Sequence, residues 1–254
     1  MKILDILKER HAIGKKSIAV LVDPDKADDP ARLNHLINMA SENCIDFFFV
    51  GGSLMTTTNL SEVVNQIKEH VSIPVVLFPG NSMQLDPGAD AILFLSLISG
   101  RNPDLLIGQH VLAAPILKNN KIEVMPTGYM LINSGKITSV AYISNTTPIP
   151  EDKYSLAACT ALAGEMLGLQ LIYLDAGSGA EREISKKMIS TVRKAVNTPL
   201  IVGGGIDTAS KALSAFEAGA DMIVIGNALE KNPEILIEIS DKVYDWNQSI
   251  EARK

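Results

Sequence analysis

Short apolar runs alternate along this chain with longer stretches whose apolar residues recur every three or four positions. Runs such as Ile18-Ala19-Val20-Leu21-Val22 and Met222-Ile223-Val224-Ile225 are almost unbroken. They read as strands buried on both faces, the habit of parallel sheets. The pattern predicts strands over 17–22, 46–50, 73–78, 91–95, 170–174, 199–202 and 222–225. Helical spacing covers 30–44, 61–70, 104–114, 153–167, 182–196, 208–218 and 233–247. Residues 121–133 and 136–144 are rich in β-branched side chains, with Ser134-Gly135 between them. They read as a hairpin-like element containing the fifth strand. The first ten residues read as a short amphipathic helix.

Eight strands, each followed by a helix or long connection, imply one closed parallel (β/α)8 TIM barrel over residues 1–254, with an N-terminal helix in front. An open doubly wound sheet is the rival. No Pro/Gly/Ser-rich linker divides the chain.

Composition narrows the partners. Lys plus Arg number 23 against 29 for Asp plus Glu, a net charge of −6, which excludes a nucleic-acid-coating surface. No apolar run reaches the ~18 residues of a membrane span, and the N-terminus lacks the core of a signal peptide, so a cytoplasmic protein without a stable membrane anchor is expected. Cys44 and Cys159 lack metal-ligand spacing and lie in apolar patterns. They read as buried free thiols. The four histidines read as structural or exposed, and Trp246 as packed on the outside of the barrel.

In this fold the working face is the C-terminal end of the strands. Three glycine-bearing loops stand there: Tyr173-Leu174-Asp175-Ala176-Gly177-Ser178-Gly179, Gly203-Gly204-Gly205-Ile206 and Gly226-Asn227-Ala228. Glycines let backbone amides approach an anion, which points to a phosphate site. Tight strand-to-helix turns would use the same glycines. The first strand ends in Asp23-Pro24-Asp25-Lys26 and the second in Gly51-Gly52-Ser53. Asp23 beside Ser53 offers the hard oxygen donors that Mg²⁺ takes. A turn residue before Pro24 and a helix N-cap are the plainer readings of the same two positions. Asp25 is expected to cap, or to pair with Lys26.

Taken together, DPDK, GGS, YLDAGSGA, GGGI and GNA at successive strand ends resemble the geranylgeranylglyceryl phosphate synthases and the related PcrB-like prenyltransferases. The resemblance runs from Ser17 to Ala228, and residues 99–111 resemble the larger, archaeal-type branch. It implies an Mg²⁺-dependent enzyme that joins sn-glycerol 1-phosphate to a polyprenyl diphosphate, forming an ether and releasing pyrophosphate. Residue by residue, it carries over Asp23 and Ser53 as metal positions. The glycerol phosphate positions are Tyr173, Leu174, Asp175, Ala176, Gly177, Ser178, Gly179, Gly204, Gly205, Gly226 and Asn227. Asp175 stands where the family often has Glu and is the candidate base, with Tyr173 orienting glycerol or sharing the proton transfer. Phe94, Leu95, Leu97, Ile98, Leu105, Leu106 and Val111 are candidate walls of a prenyl groove. A homo-oligomer is implied, with an apolar stripe of Leu156, Ala157, Ala158, Leu162 and Met166. The alternatives are a phosphosugar isomerase of the same barrel type and a non-catalytic phosphometabolite-binding barrel.

Overall fold

A computed structural model describes residues 2–252. Eight parallel strands close into a barrel in sequence order, β8 pairing with β1. They are β1 (Ser17–Val22), β2 (Phe47–Val50), β3 (Val75–Leu77), β4 (Ala91–Leu97), β5 (Glu123–Leu131), β6 (Leu171–Asp175), β7 (Leu200–Gly203) and β8 (Met222–Ile225). The helices are α1 (Ile3–Ile13), α2 (Pro30–Glu42), α3 (Leu60–His70), α4 (Gln109–Asn119), α5 (Ser139–Ile143), α6 (Tyr154–Met166), α7 (Lys186–Arg193), α8 (Ala209–Glu217), α9 (Asn227–Lys231) and α10 (Ile235–Glu251).

Two apolar clusters follow from the period of two along each strand. Ile18, Val20, Phe48 and Ile223 face outward and pack under the helices. Ala19, Phe49, Leu93, Met125, Tyr173 and Val224 face inward and fill the barrel. This inward parity places the site. It reaches Asp175 at the end of β6, after Leu171 and Tyr173, and continued one residue past β1 it reaches Asp23, after Ala19 and Leu21. α1 closes the opposite end: Ile3 and Leu7 pack into the inward cluster. The Glu123 carboxylate accepts from the amides of Ile3 (2.6 Å) and Leu4 (3.0 Å), satisfying otherwise open donors of the helix N-terminus.

Three expectations are corrected. Residues 136–144 do not form a strand; they carry the short helix α5. β5 already lies between β4 and β6, and a closed barrel leaves no free edge for a further strand. Cys44 and Cys159 are free thiols but exposed, not buried. Cys44 falls just past α2 in a left-handed conformation (φ 53°), and Cys159 lies on the outer side of α6. The helix expected over 104–114 opens as a π-helical turn, Asp104–Gly108, and continues through α4 to Asn119 despite Pro115.

Candidate functional site

A cavity of about 920 Å³ opens at the C-terminal mouth of the barrel. Asp23, Ser53, Tyr173, Asp175, Gly204 and Asn227 all line it. So do Gly177, Ser178, Gly179, Gly205 and Gly226, whereas Leu174 and Ala176 are buried behind it. The carboxylate end and the glycine loops therefore face one space.

The glycine side is shaped by backbone contact. Gly204 has φ +80°, and a Cβ there would stand 2.9 Å from the Gly177 amide nitrogen. Only glycine lets the β6 and β7 loops meet in this way. The Ala176 amide donates to the Gly203 carbonyl (3.0 Å), tying the same two loops together. Ser178 Oγ donates to Asn227 Oδ1 (3.0 Å), which links the β6 loop to the start of α9. Successive left-handed glycines of this kind form concave amide surfaces suited to anions.

On the acidic side, Asp23 continues β1 and is half-buried. Its Oδ1 accepts from the Asp25 amide (3.2 Å), and Lys26 Nζ lies 3.9 Å from Oδ2. Burial pushes its carboxyl above the usual value, against the Asp25 amide and Lys26. A Cβ at Gly52 would begin 3.5 Å from Asp23 Oδ1, so glycine keeps that flank of the carboxylate open. Of the two roles expected for Asp25, it takes the capping one and does not pair with Lys26. Its carboxylate accepts from the amides and hydroxyls of Thr56 and Thr57 at 2.7–3.0 Å, fixing the loop that carries Ser53. Burial opposes its ionisation, but the Thr57 hydroxyl and the Thr56 amide and hydroxyl outweigh this and hold it at about 2.

Lys26 instead bridges the β1 loop to α9, after the neighbouring β8, on one side of the mouth. Its ammonium donates to Glu230 Oε1 (2.8 Å) and lies 3.5 Å from Asn227 Oδ1. Asp23 and Asn227, at the ends of the neighbouring strands β1 and β8, thus both sit within 4 Å of one cation.

At the floor, Asp175 is only 7% exposed. Its Oδ1 accepts from the Gly177 amide (2.8 Å), and its Oδ2 accepts from the Tyr129 hydroxyl. Burial pushes its carboxyl up against both bonds. Burial and the neighbouring Asp175 likewise push the phenols of Tyr129 and Tyr173 well above their ordinary value. Both phenols are therefore neutral at physiological pH. Phe78, Tyr129 and Tyr173 pack as a triad, with ring centroids 5.4–5.8 Å apart.

Two geranylgeranylglyceryl phosphate synthases share this barrel in solved structures. One, from Thermoplasma acidophilum, is (S)-3-O-geranylgeranylglyceryl phosphate synthase in complex with sn-glycerol-1-phosphate; it superposes with a TM-score of 0.89 at 32% identity, over 96% of this chain and 98% of that one. The other, from Thermoplasma volcanium, gives 0.88 at 34%. The PcrB family model matches residues 5–243. The chain belongs to the PcrB family. Among its relatives, the geranylgeranylglyceryl phosphate synthase of Spirosoma linguale is 55% identical over 97% of this chain and 99% of its own length. That of Chitinophaga pinensis is 53% identical over 96% of each.

In this PcrB-family barrel the apolar wall of the cavity differs from the one the sequence suggested, with Phe78, Leu93, Val140 and Ile143 added to it. Phe94, Leu95, Leu97 and Leu105 line it, whereas Ile98, Leu106 and Val111 do not. Ile98 lies against Gly128 and Gly164, and Val111 is 64% exposed. His110, on the wall, packs edge-on to Phe94 at 4.4 Å, and burial pushes its pKa down, so it serves as a neutral structural ring. Trp246 packs outside the barrel against Phe216, as expected.

Sequence reading missed Tyr129 and the bridging role of Lys26. The signal for Tyr129 was present. It lies four residues after Met125 in β5, on the inward parity, and pairs in register with Tyr173.

Proposed function

We propose that this PcrB-family chain is an Mg²⁺-dependent geranylgeranylglyceryl phosphate synthase. It joins sn-glycerol 1-phosphate to a polyprenyl diphosphate, geranylgeranyl diphosphate by kinship, and releases pyrophosphate. One observation carries this reading: a single cavity holds a glycine-built anion cradle, a half-buried carboxylate next to it at the end of β1, and an apolar wall.

Glycerol phosphate binds with its phosphate on the amides around Gly177, Gly179, Gly204, Gly205, Gly226 and Asn227. The Ser178 hydroxyl and the rim cation Lys26 complete the anion's surroundings. Tyr173 orients the glycerol. Its hydroxyl lies so close to β7 that a Cβ at Gly203 would stand 2.5 Å from it. The prenyl tail runs along Phe94, Leu95, Leu97 and Leu105. There it is kept from water, which would otherwise capture an allylic cation.

Asp23 and Ser53 suit Mg²⁺. Among the described residues no cluster of three or more His, Cys, Asp or Glu could hold a metal. A single carboxylate and a hydroxyl beside an open cavity fit an ion that keeps most of its waters and takes substrate phosphate oxygens. When bound, the ion would offset the charge that develops on the departing diphosphate. Asp175 takes up the proton that the attacking glycerol hydroxyl loses. Its raised pKa brings it nearer the working pH than an ordinary aspartate.

The protein works as one barrel domain in the cytoplasm. No helix among the described residues is long and apolar enough to cross a membrane. It assembles as a homo-oligomer. On α6, Ala157 faces the barrel, while Leu156 and Met166 are 49% and 77% exposed.

The test is incubation of the purified protein with labelled sn-glycerol 1-phosphate, geranylgeranyl diphosphate and Mg²⁺. The reading predicts a chloroform-extractable labelled ether whose mass matches geranylgeranylglyceryl phosphate. Absence of that product, with a family member active in parallel, would refute it.

A further inference from the structure

Asp175 and Tyr129 both line the cavity and are buried to nearly the same degree, at 7% and 5% exposure. They differ in what their oxygens already do. Each Asp175 oxygen accepts a bond, Oδ1 from the Gly177 amide and Oδ2 from Tyr129. The Tyr129 hydroxyl spends its one proton on Asp175, which leaves the phenol oxygen with acceptor capacity and no further proton to give. The ring is held at its edge by Phe78 (5.8 Å) and Tyr173 (5.4 Å), so the hydroxyl has little freedom to swing away. A hydroxyl on a bound glycerol finds here an acceptor already aligned with a carboxylate behind it.

We propose that Tyr129 is the residue that directly accepts the proton of the attacking glycerol hydroxyl, passing its own proton to Asp175. This rests on the prenyl-transfer reading and deepens it. The glycerol oxygen forms its bond to the allylic carbon, and the carbon–oxygen bond to the diphosphate breaks with its electron pair leaving on the diphosphate. The glycerol proton moves to Tyr129 Oη as the Tyr129 proton moves to Asp175 Oδ2. Charge balances with a neutral carboxylic acid at 175 and a neutral phenol at 129. Because both protons move together, no phenolate need accumulate. Tyr129 is then catalytic, and Asp175 acts through it.

The test compares wild type, Tyr129→Phe, Asp175→Asn and the double variant. It measures kcat for ether formation and the Kd of sn-glycerol 1-phosphate by calorimetry. Phe keeps the ring packing, so Tyr129→Phe retains the fold, and Asp175→Asn cuts the same relay from its far end. A relay predicts that Tyr129→Phe lowers kcat by about 10²–10⁴-fold, the usual span of acid–base catalysis. Its Kd should stay within about threefold of wild type. The double variant should be no more than about threefold slower than the slower single, because residues that act as a unit are not additive. Three results would overturn the relay: a Tyr129→Phe kcat within about fivefold of wild type, losses that multiply in the double variant, or a loss carried by Kd. Failure of the underlying reading is a separate result, since wild type itself would then make no ether.

Discussion

The two ends of this barrel treat buried carboxylates in opposite ways. At the closed end Asp221, 8% exposed, is surrounded by nitrogen donors, two of them cationic. His11 Nδ1 lies at 3.0 Å, Arg193 at 2.9 Å and Lys16 at 3.8 Å, and the Leu200 amide donates at 2.8 Å. Burial pushes its pKa up, but the bonds from His11 and Leu200 and the charges of His11 and Lys16 outweigh this and hold it below the usual value. At the open end Asp175 has hydrogen bonds but, among the described residues, no ion pair, and Asp23 has one long ion pair to Lys26. Both are pushed above the usual value by burial. A carboxylate with its charge fully compensated supports the fold. One left under-compensated is held at a cost in stability and is available to a metal or a proton. Perturbed carboxylates that face a cavity are the pattern expected of a reactive site.

This contrast can be broken most strongly at the closed end. Asp221→Asn leaves Lys16 and Arg193 buried without their counter-charge, and removing one member of such a network typically costs about 3–5 kcal/mol. Urea unfolding should show that loss, while kcat per folded molecule stays at the wild-type value. The pH sign follows from the lowered pKa. The stability Asp221 gives is complete above the unfolded-state value near ~4 and is lost as pH falls through the folded-state value. The stability difference between wild type and Asp221→Asn should shrink over that acidic window. A variant as stable as wild type at pH 7 would make the network dispensable.

At the open end the expected loss is of function. Asp23→Asn should lower turnover by at least ~10²-fold, since a bound Mg²⁺ supplies several kcal/mol of charge stabilisation. Its melting temperature should hold or rise, because the carboxylate removed was under-compensated. Near-normal turnover would clear Asp23 of the metal role.

The smallest effect is the sharpest. Asp175→Asn should leave neutral-pH stability within about 1 kcal/mol of wild type, or raise it. Its amide can accept from Gly177 and donate to the Tyr129 oxygen. For Asp175 the pH sign is reversed: a raised pKa means a contribution present at low pH and lost as pH rises through the folded-state value. Calorimetry from pH 4 to 8 should therefore show Asp175→Asn gaining on wild type as pH rises. A drop of several degrees at pH 8 would mean that Asp175 belongs with Asp221 as a structural carboxylate.

Much of this was legible in the chain. The apolar runs placed seven of the eight strands, because parallel strands buried on both faces leave little room for polar residues, while β5, interrupted by Pro126, Thr127 and Gly128, was only bracketed within a hairpin-like element. The glycine loops and Asp23 were readable because strand ends fix where loops face. Other features depend on distant packing. The β-branched residues around Ile137 and Val140 favour a strand by local preference, but closure of the barrel leaves nothing for them to pair with. Cys159 was misplaced because α6 is apolar nearly all round, with Ala157, Ala161 and Gly164 inward and Leu156, Ala163 and Met166 outward. Periodicity cannot choose a face there. Asp25 read as a cap or as a partner for adjacent Lys26, but what it caps, the Thr56 and Thr57 amides, lies thirty-odd residues away. Tyr129 stood on the correct parity, but only the Asp175 contact across strands marks it as chemical.

The most direct measurement is a crystal structure of the protein with sn-glycerol 1-phosphate, Mg²⁺ and a non-reacting thio analogue of geranylgeranyl diphosphate. The account predicts the glycerol phosphate group on the Gly204, Gly205 and Gly226 amides, its free primary hydroxyl against Tyr129, and the diphosphate with its ion at Asp23. A glycerol phosphate bound at the Asp23 rim, or a diphosphate outside the mouth shared by these residues, would contradict it.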